Sequence, residues 1–111
     1  MKKSVPNPSR FLAFDLLATL VAVVRSDGGV LFANSALEDA MGMSRRTIEG
    51  SQFADSFSEP QILRNALDGA RSNEFAALRY DALLKRQHHE PLPVHVIVAQ
   101  TERPGEIIIE L

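Results

Sequence analysis

Apolar and β-branched residues in the first third of the chain predict a β-hairpin. Residues 21–24 (VAVV) are rich in valine, and residues 30–32 (VLF) form a second apolar run. Side chains that branch at Cβ favour strands because they pack well on a pleated surface. Between the two runs, Asp27-Gly28-Gly29 offers the positive φ angles that a tight turn needs. We therefore expect two antiparallel strands joined at this turn.

Two short helices are predicted directly after the hairpin. Asn34 stands where a helix N-cap belongs, because its side-chain oxygen can accept a hydrogen bond from a first-turn N–H. Apolar residues then recur at helical spacing, and Gly42 can end the helix in the left-handed conformation. A second helix is expected from Ser44 to Ile48, with Gly50 as its terminator.

A third helix is predicted over roughly residues 59–71. Ser58 and Gln61 have the spacing of a capping box, and Pro60 falls in the first turn. The apolar residues that follow form one stripe, which is typical of a helix packed on a core. They are Ile62, Leu63, Ala66, Leu67 and Ala70.

A further short helix is expected near the N-terminus, after residues 1–8, which carry two prolines and are predicted to be a flexible leader. Ser9 can cap this helix. The apolar residues after Ser9 cover more than one helical face, so one side of the helix should pack on its own domain and the other should meet a partner. They are Phe11, Leu12, Phe14, Leu16 and Leu17.

The last third of the chain predicts strands with one ambiguous segment. Residues 92–101 and 105–111 are rich in β-branched side chains, and three consecutive isoleucines indicate that the last strand is central in a sheet. Arg103-Pro104-Gly105 is the turn between them. Residues 74–86 have the length of a strand, but their leucine, alanine and arginine content favours a helix.

Composition excludes several classes of protein. The chain has 111 residues, enough for one domain, and its net charge of −2 offers no basic block for nucleic acid. It contains no cysteine, which rules out disulfides and thiolate chemistry and suits a cytoplasmic location. The longest apolar run, residues 16–24, is about half of what a membrane span needs. No membrane partner is expected.

Candidates for catalysis or metal binding are few. His88-His89-Glu90 is followed at once by Pro91, so it does not fit the phosphoacceptor box of histidine kinases, and both histidines are expected to be exposed in a turn. Together with His95 they lack the spacing of a metal site, and no metal is expected. Phosphate-loop and serine-hydrolase motifs are also lacking, so we do not expect this chain to be an enzyme.

The runs VAVVRSDGGVLFAN, SALEDAMG and IEGSQFADSF, in residues 21–57, resemble the PAS domain pattern of strand, Asp-Gly turn, strand ending in Ala-Asn, and helix ending in Gly. The opening FDLLATLVAVV and the closing GEIIIEL look most like the N-terminal domain of the nitrogen-regulation kinases called NtrB. The resemblance implies an α+β PAS fold, with a five-stranded antiparallel sheet, short helices on one face and an N-terminal helix. It also implies that residues 74–86 are a strand.

The same resemblance guides the prediction of ligands. Flavin-adduct PAS domains use a cysteine, which is lacking here, and haem-binding ones commonly use a histidine in the helix that corresponds to residues 59–71, which has none. Although haem ligation by His95 stays open, we expect no cofactor. A small pocket between the helices and the inner sheet face would be lined by Phe32, Leu63, Leu67, Tyr80, Val96 and Ile108. The alternative is that these side chains simply fill the core.

The resemblance finally implies a regulatory role. Residues 9–111 would be the PAS domain of a longer cytoplasmic histidine kinase whose catalytic domains lie beyond residue 111 and whose partner is a response regulator. The domain would form a homodimer through Phe11, Leu12, Phe14, Leu16 and Leu17, and the arrangement of the two copies would bias the kinase. The alternative is a metabolite-binding PAS sensor of another bacterial signalling or transcription-regulatory protein.

Overall fold

The structure, a computed structural model, describes residues 10–73 and 76–111. A 3₁₀ helix at Leu12–Leu16 precedes strands β1 (Val21–Arg25) and β2 (Val30–Ala33). Helices α1 (Ser35–Met41) and α2 (Arg45–Ile48), a second 3₁₀ helix (Phe53–Ser56) and α3 (Pro60–Arg71) follow. The chain then forms β3 (Ala77–Arg86), β4 (His89–Gln100) and β5 (Glu106–Glu110). Among these residues, no helix has the length and apolar character that crossing a bilayer requires.

The five strands form one antiparallel sheet in the order β2-β1-β5-β4-β3. The triple-isoleucine strand β5 is its central strand, as predicted. Ile107 and Ile109 point into the main core, together with Ala22 and Val24 of the neighbouring β1. Because successive side chains of a strand point to opposite faces, Ile108 lies on the other face, opposite Val23. We call the face that carries the main core the inner face and the other the outer face.

The predicted hairpin is confirmed, but its second strand contains a bulge. The backbone N–H of Gly29 donates to Asp27 Oδ1 at 2.9 Å and closes the turn. Val24 pairs with Val30 and Val23 with Phe32, which leaves Leu31 as the extra residue. Without the bulge, Val30 and Phe32 would share a face; with it, Phe32 lies on the outer face.

Helices α1, α2 and α3 cover the inner face and begin and end close to the predicted positions. Asn34 caps α1, and Gly42 ends it at a φ of 69°, both as predicted. Ser44 likewise caps α2. The capping box predicted for α3 is wrong, because the N-cap is Glu59 and makes no side-chain bond. Gln61 Nε2 instead donates to Asn65 Oδ1, one turn along the same helix.

Strand β3 confirms the strand implied by the family resemblance and overturns the local helix preference. Its residues pair with β4 from Ala77 to Arg86, with one register shift between Leu84 and Arg86, so strand pairing replaces the helical hydrogen bonds. Every second side chain faces the core: Leu78, Tyr80, Ala82 and Leu84. Strand β4 begins at His89, three residues before the predicted start at residue 92.

The predicted N-terminal helix is present as the 3₁₀ helix Leu12–Leu16. Its N-cap is Phe11, which makes no side-chain capping bond. The predicted leader, the cap at Ser9 and the first two positions of the predicted strand 74–86 lie outside the described residues.

Candidate functional site: the N-terminal segment and the inner-face clefts

Residues 10–19, which we call the N-terminal segment, lie against the outer face of the sheet. The rings of Phe11 and Phe14 pack on Phe32, with centroid distances of 5.5 Å and 6.3 Å. Phe32 is only 5% exposed as a result. The segment therefore buries an aromatic side on its own domain.

The leucines of the segment have a different position. Leu12 is 50% exposed, Leu16 87% and Leu17 45%. The five residues predicted to contact a second copy thus divide into two inward phenylalanines and three exposed leucines. Exposed apolar side chains that cluster within a few residues commonly mark an interaction surface.

Asn34 holds the segment by its side-chain amide as well as capping α1. Its Oδ1 accepts from the backbone N–H groups of Val21 and Leu37, both at 3.0 Å. Its Nδ2 donates to the carbonyl oxygens of Phe14 and Thr19, both at 2.9 Å. The residue is 0% exposed, and the amide makes all the bonds it can make. Sequence reasoning found the cap but missed the two bonds to the segment, since nothing in the local pattern indicates a carbonyl partner 15 or 20 residues away.

Asp15 and Arg45 form the second attachment of the segment. Arg45 Nη2 donates to Asp15 Oδ1 at 2.8 Å, and Nη1 donates to Oδ2 at 3.3 Å. The backbone N–H of Ser35 also donates to Asp15 Oδ1, at 2.9 Å. Although partial burial raises the pKa of Asp15, the bonds from Ser35 and Arg45 outweigh it, and the pKa is lowered. Arg45 is partly buried and also lies over the Phe32 ring, 5.1 Å from its centroid, a position that no local sequence pattern indicates.

Arg10 forms the third attachment, at the other end of the segment. Its guanidinium donates to both carboxylate oxygens of Glu106, at 2.6 Å and 2.7 Å, and to Glu102 at 3.0 Å. The Thr101 hydroxyl also donates to Glu106. The bond from Arg10 is the largest cause of the lowered pKa of Glu106.

The predicted pocket residues do not all come together. Leu63, Leu67, Tyr80 and Val96 lie at the core of the inner face. Phe32 and Ile108 lie on the outer face, because Phe32 pairs with Val23 across β1 and β2, and Ile108 pairs with Val23 across β1 and β5. Their assignment to the inner-face pocket is therefore corrected. The bulge at Leu31 accounts for Phe32, and the alternation of β5 accounts for Ile108.

Tyr80 carries a buried hydroxyl group that has no hydrogen-bond partner among the described residues. Its burial raises the pKa of the phenol to about 12. A buried hydroxyl without a partner costs free energy unless another group reaches it. It lies on the inner face, where β3 pairs with β4 at Val96.

Two clefts open beside this core. The larger has a volume of about 550 Å³ and lies between the start of α3 and strands β3 and β4, where Ile62, Ala82 and Val94 form apolar walls and Ser58 and Glu59 are polar. The smaller, of about 360 Å³, lies between α2, the end of α1 and the end of β3. Its lining includes Met41, Met43, Thr47, Ile48, Lys85 and Arg86.

The histidines are all exposed. His88 occupies the turn between β3 and β4 with a φ of 62°, and His89 begins β4. His95 Nδ1 lies 3.0 Å from Asp81 Oδ1 across the two strands. The described part of the chain holds no group of three or more His, Cys, Asp or Glu side chains that could hold a metal ion.

A family model described as the PAS fold matches residues 10–111. The chain belongs to the PAS family. PAS domains are sensory modules, and the order of strands and helices predicted from the family resemblance is the one observed. A search of curated proteins found no match.

Solved PAS structures share this fold at low sequence identity. A domain of a sensory box sensor histidine kinase/response regulator from Geobacter sulfurreducens is 15% identical, with a TM-score of 0.77 and coverage of 92% of this chain and 89% of that one. The photoactive yellow protein domain of the sensor histidine kinase Ppr from Rhodospirillum centenum is 20% identical, with a TM-score of 0.74 and coverage of 88% of both chains. The PAS domain of the RpfR quorum-sensing receptor from Cronobacter turicensis, solved in complex with BDSF, is 13% identical, with a TM-score of 0.73 and coverage of 85% and 91%.

Proposed function

We propose that this chain is the regulatory PAS domain of a two-component histidine kinase of the nitrogen-regulation type. In this role two copies pair through the N-terminal segment, and their arrangement biases the kinase domain of the same protein, which phosphorylates a response regulator. The observation that carries the proposal is the division of the segment into Phe11 and Phe14, which anchor it, and the exposed Leu12, Leu16 and Leu17. The resemblance of residues 14–24 and 105–111 to NtrB supports the nitrogen-regulation role.

The geometry suits a second copy as the partner. An interface between identical chains is usually two-fold symmetric, so one apolar patch on each copy serves both sides. The three leucines come from one short segment. Its own residues Arg10 and Asp15 form ion pairs with the rest of the domain, and the Asn34 side chain bonds to its backbone. A displacement of the anchored segment would therefore change how two copies meet.

The dimer can be tested by the solution mass of the chain over a range of concentrations. Leu16→Glu places a charge on the most exposed leucine and should shift the equilibrium to monomer without lowering Tm. Ile62→Glu is the matched control, since Ile62 is 39% exposed but lies on α3 at the opposite face. A wild-type chain that stays monomeric at high concentration would remove the dimer from the proposal.

The kinase role has a separate test. The gene should continue past residue 111 into a phosphoacceptor histidine box and an ATP-binding domain. Leu16→Glu in that whole protein should alter autophosphorylation and the induction of nitrogen-responsive transcription. A gene that encodes another output domain there would refute the kinase assignment while leaving the dimer test intact.

A second candidate function is favoured by the larger cleft and by the Tyr80 hydroxyl. A cleft of about 550 Å³ with apolar walls is lined in part by β3, the strand that also carries Tyr80, whose buried hydroxyl has no partner among the described residues. Such a site suits a small, mostly apolar metabolite with one polar group, and the similar RpfR domain was solved with a ligand bound. A ligand that binds only the folded chain raises its Tm.

A thermal-shift panel of fatty acids, amino acids and keto acids tests this second function. A rise in Tm that depends on concentration and is smaller in Tyr80→Phe would support it. No shift with any compound would leave the cleft without a sensory role.

A further inference from the structure

Arg45 contacts two separate parts of the domain through one guanidinium group. It donates to both oxygens of Asp15 in the N-terminal segment and to the Ser35 hydroxyl at the start of α1, the latter at 3.1 Å. Its charged plane lies over Phe32, on whose ring Phe11 also packs. Arg45 therefore touches both the ionic and the aromatic attachment of the segment.

The helix that carries Arg45 is short and borders a cleft. Helix α2 is a single turn, Arg45–Ile48, and Thr47 and Ile48 line the cleft of about 360 Å³. The backbone N–H of Arg45 donates to Glu38 Oε2 at 2.7 Å, which fixes the start of the turn to α1. A helix of one turn moves as a unit. A bulky chemical group that occupies the cleft and displaces α2 therefore also displaces the Arg45 guanidinium.

Such a displacement would act on the N-terminal segment directly. Moving Arg45 would leave the partly buried Asp15 carboxylate without its cation and would take the guanidinium from the Phe32 ring. The loss of one partner of a partly buried ion pair is unfavourable for the group left behind. The segment would then keep the bonds of Asn34 and Arg10 and the bonds from Ser35 to Asp15, but it would lose the ion pair at its middle.

We propose that Arg45 is a coupling residue, through which a displacement of α2 at the smaller cleft loosens the N-terminal segment. The inference deepens the proposed function, since that segment is the surface on which two copies are proposed to meet. In this scheme the signal begins at the cleft between α2 and the end of β3. It reaches the N-terminal segment through the bonds between Arg45 and Asp15.

The chain has no cysteine, so a single introduced thiol can be labelled specifically. Thr47→Cys, labelled with a bulky naphthyl maleimide, would displace α2 from the cleft side. Hydrogen exchange of the Phe14 and Leu17 amides, which bond to Phe11 and Phe14 carbonyls, reports on the segment. The label should speed exchange at these amides by about tenfold, the size of a typical coupling between sites. The same label on Gln61→Cys, at an exposed position of α3, should leave them unchanged.

The decisive comparison is the same label with Arg45→Gln. Without the label, the Phe14 and Leu17 amides of Arg45→Gln should already exchange fast, and labelling should not speed their exchange further. Arg46→Gln changes an exposed neighbouring residue, so its amides should respond to the label as in wild type. If Arg45→Gln does not fold, Arg45→Lys keeps the charge but loses the second bond, and the effect of the label should be smaller. An equal response in the Arg45 variants, or no response in the wild-type background, would overturn the proposal. Because exchange is measured in dilute monomer, failure here is separate from failure of the dimer test.

Discussion

Arg10 and Glu106 lie 96 positions apart and form an ion pair with two bonds, from Nη1 to Oε2 at 2.6 Å and from Nη2 to Oε1 at 2.7 Å. Glu106 begins the central strand and is 8% exposed, while Arg10 precedes the first helix. The pair joins the start of the N-terminal segment to the middle of the sheet. Its strength therefore bears on how firmly the proposed dimer surface is held.

The first prediction concerns acid. The pKa of Glu106 is lowered in the fold, with the bond from Arg10 as the largest cause and a bond from Thr101 as a further one; Glu102 and Arg103 lie nearby. The folded state thus binds fewer protons than the unfolded chain. The stability contributed by the pair is complete above the ordinary glutamate pKa of about 4.3 and is lost as pH falls through the lowered pKa.

Glu106→Gln removes this titration and provides the measurement. Urea unfolding at about pH 7 should show a lower free energy of unfolding for the variant, and the gap to wild type should narrow toward about pH 3. Asp15 titrates in both proteins and cancels, so the difference reports on Glu106 together with Glu102, which also bonds to Arg10. A gap that stays constant over this range would mean that the pair does not stabilise the fold.

The second prediction concerns Asn34. Asn34→Ala removes the cap of α1 and takes the amide's bonds from the N–H of Val21 and from the carbonyls of Phe14 and Thr19. The Phe14 carbonyl keeps its bond from the Leu17 N–H. Unfolding should become easier by at least about 2 kcal/mol. For a domain of this size, that corresponds to a fall in Tm of about 10 °C. Thermal unfolding followed by circular dichroism measures the loss.

Asn34→Asp separates the two roles of this side chain. The carboxylate can still accept from Leu37 and Val21, but it faces the Phe14 and Thr19 carbonyls without a donor. In Asn34→Asp, amide hydrogen exchange should become faster in the N-terminal segment, while the amides in the first turn of α1 stay protected. Equal loosening of both would show that the amide does not hold the segment independently.

The third prediction concerns Tyr80. Tyr80→Phe removes a buried hydroxyl that has no partner, so the variant should be more stable than wild type by up to about 1 kcal/mol. Urea unfolding without added ligand gives the value. A loss of more than about 1 kcal/mol would show instead that the hydroxyl has a partner in solution, since that is the typical net worth of a hydrogen bond.

The fourth prediction concerns the aromatic anchor. Phe32→Ala should cost about 3 kcal/mol, because the ring is buried under Phe11 and Phe14. When Phe11 is already replaced by alanine, Phe32→Ala should destabilise the fold less. The double-mutant cycle should therefore give a coupling energy of about 1 kcal/mol between the two rings. Additive losses would show that the segment does not rest on this ring in solution.

Local sequence patterns predicted most of the helices, strands and turns, because the interactions that form them join residues only a few positions apart. The Asp27 turn, the Asn34 cap and the Gly42 terminus depend on short-range hydrogen bonds and positive φ angles, and each is found where it was expected. The strand at residues 77–86 was not indicated by propensity. It needed the family resemblance, because its conformation is decided by pairing with β4.

The candidate site was predicted less completely than the elements, because strand pairing decides which face of the sheet a side chain occupies. The sequence named Phe11, Phe14 and the leucines as a two-sided surface, and it grouped Phe32 with Leu63 in one pocket. Only the tertiary structure separated these last two, because a one-residue bulge at Leu31 reverses the face on which Phe32 lies.

The sequence by itself thus determined the hairpin turn, the caps of α1 and α2 and the lack of cysteine chemistry, since neighbouring residues or composition decide each of these. Only the tertiary structure decided that Arg45 contacts Asp15, that Arg10 contacts Glu106 and that the Tyr80 hydroxyl is buried with no partner in the described part of the chain. These contacts join residues that are far apart in the chain, and no periodic pattern encodes them. They depend on how the sheet brings its strands together and on which face each side chain then occupies.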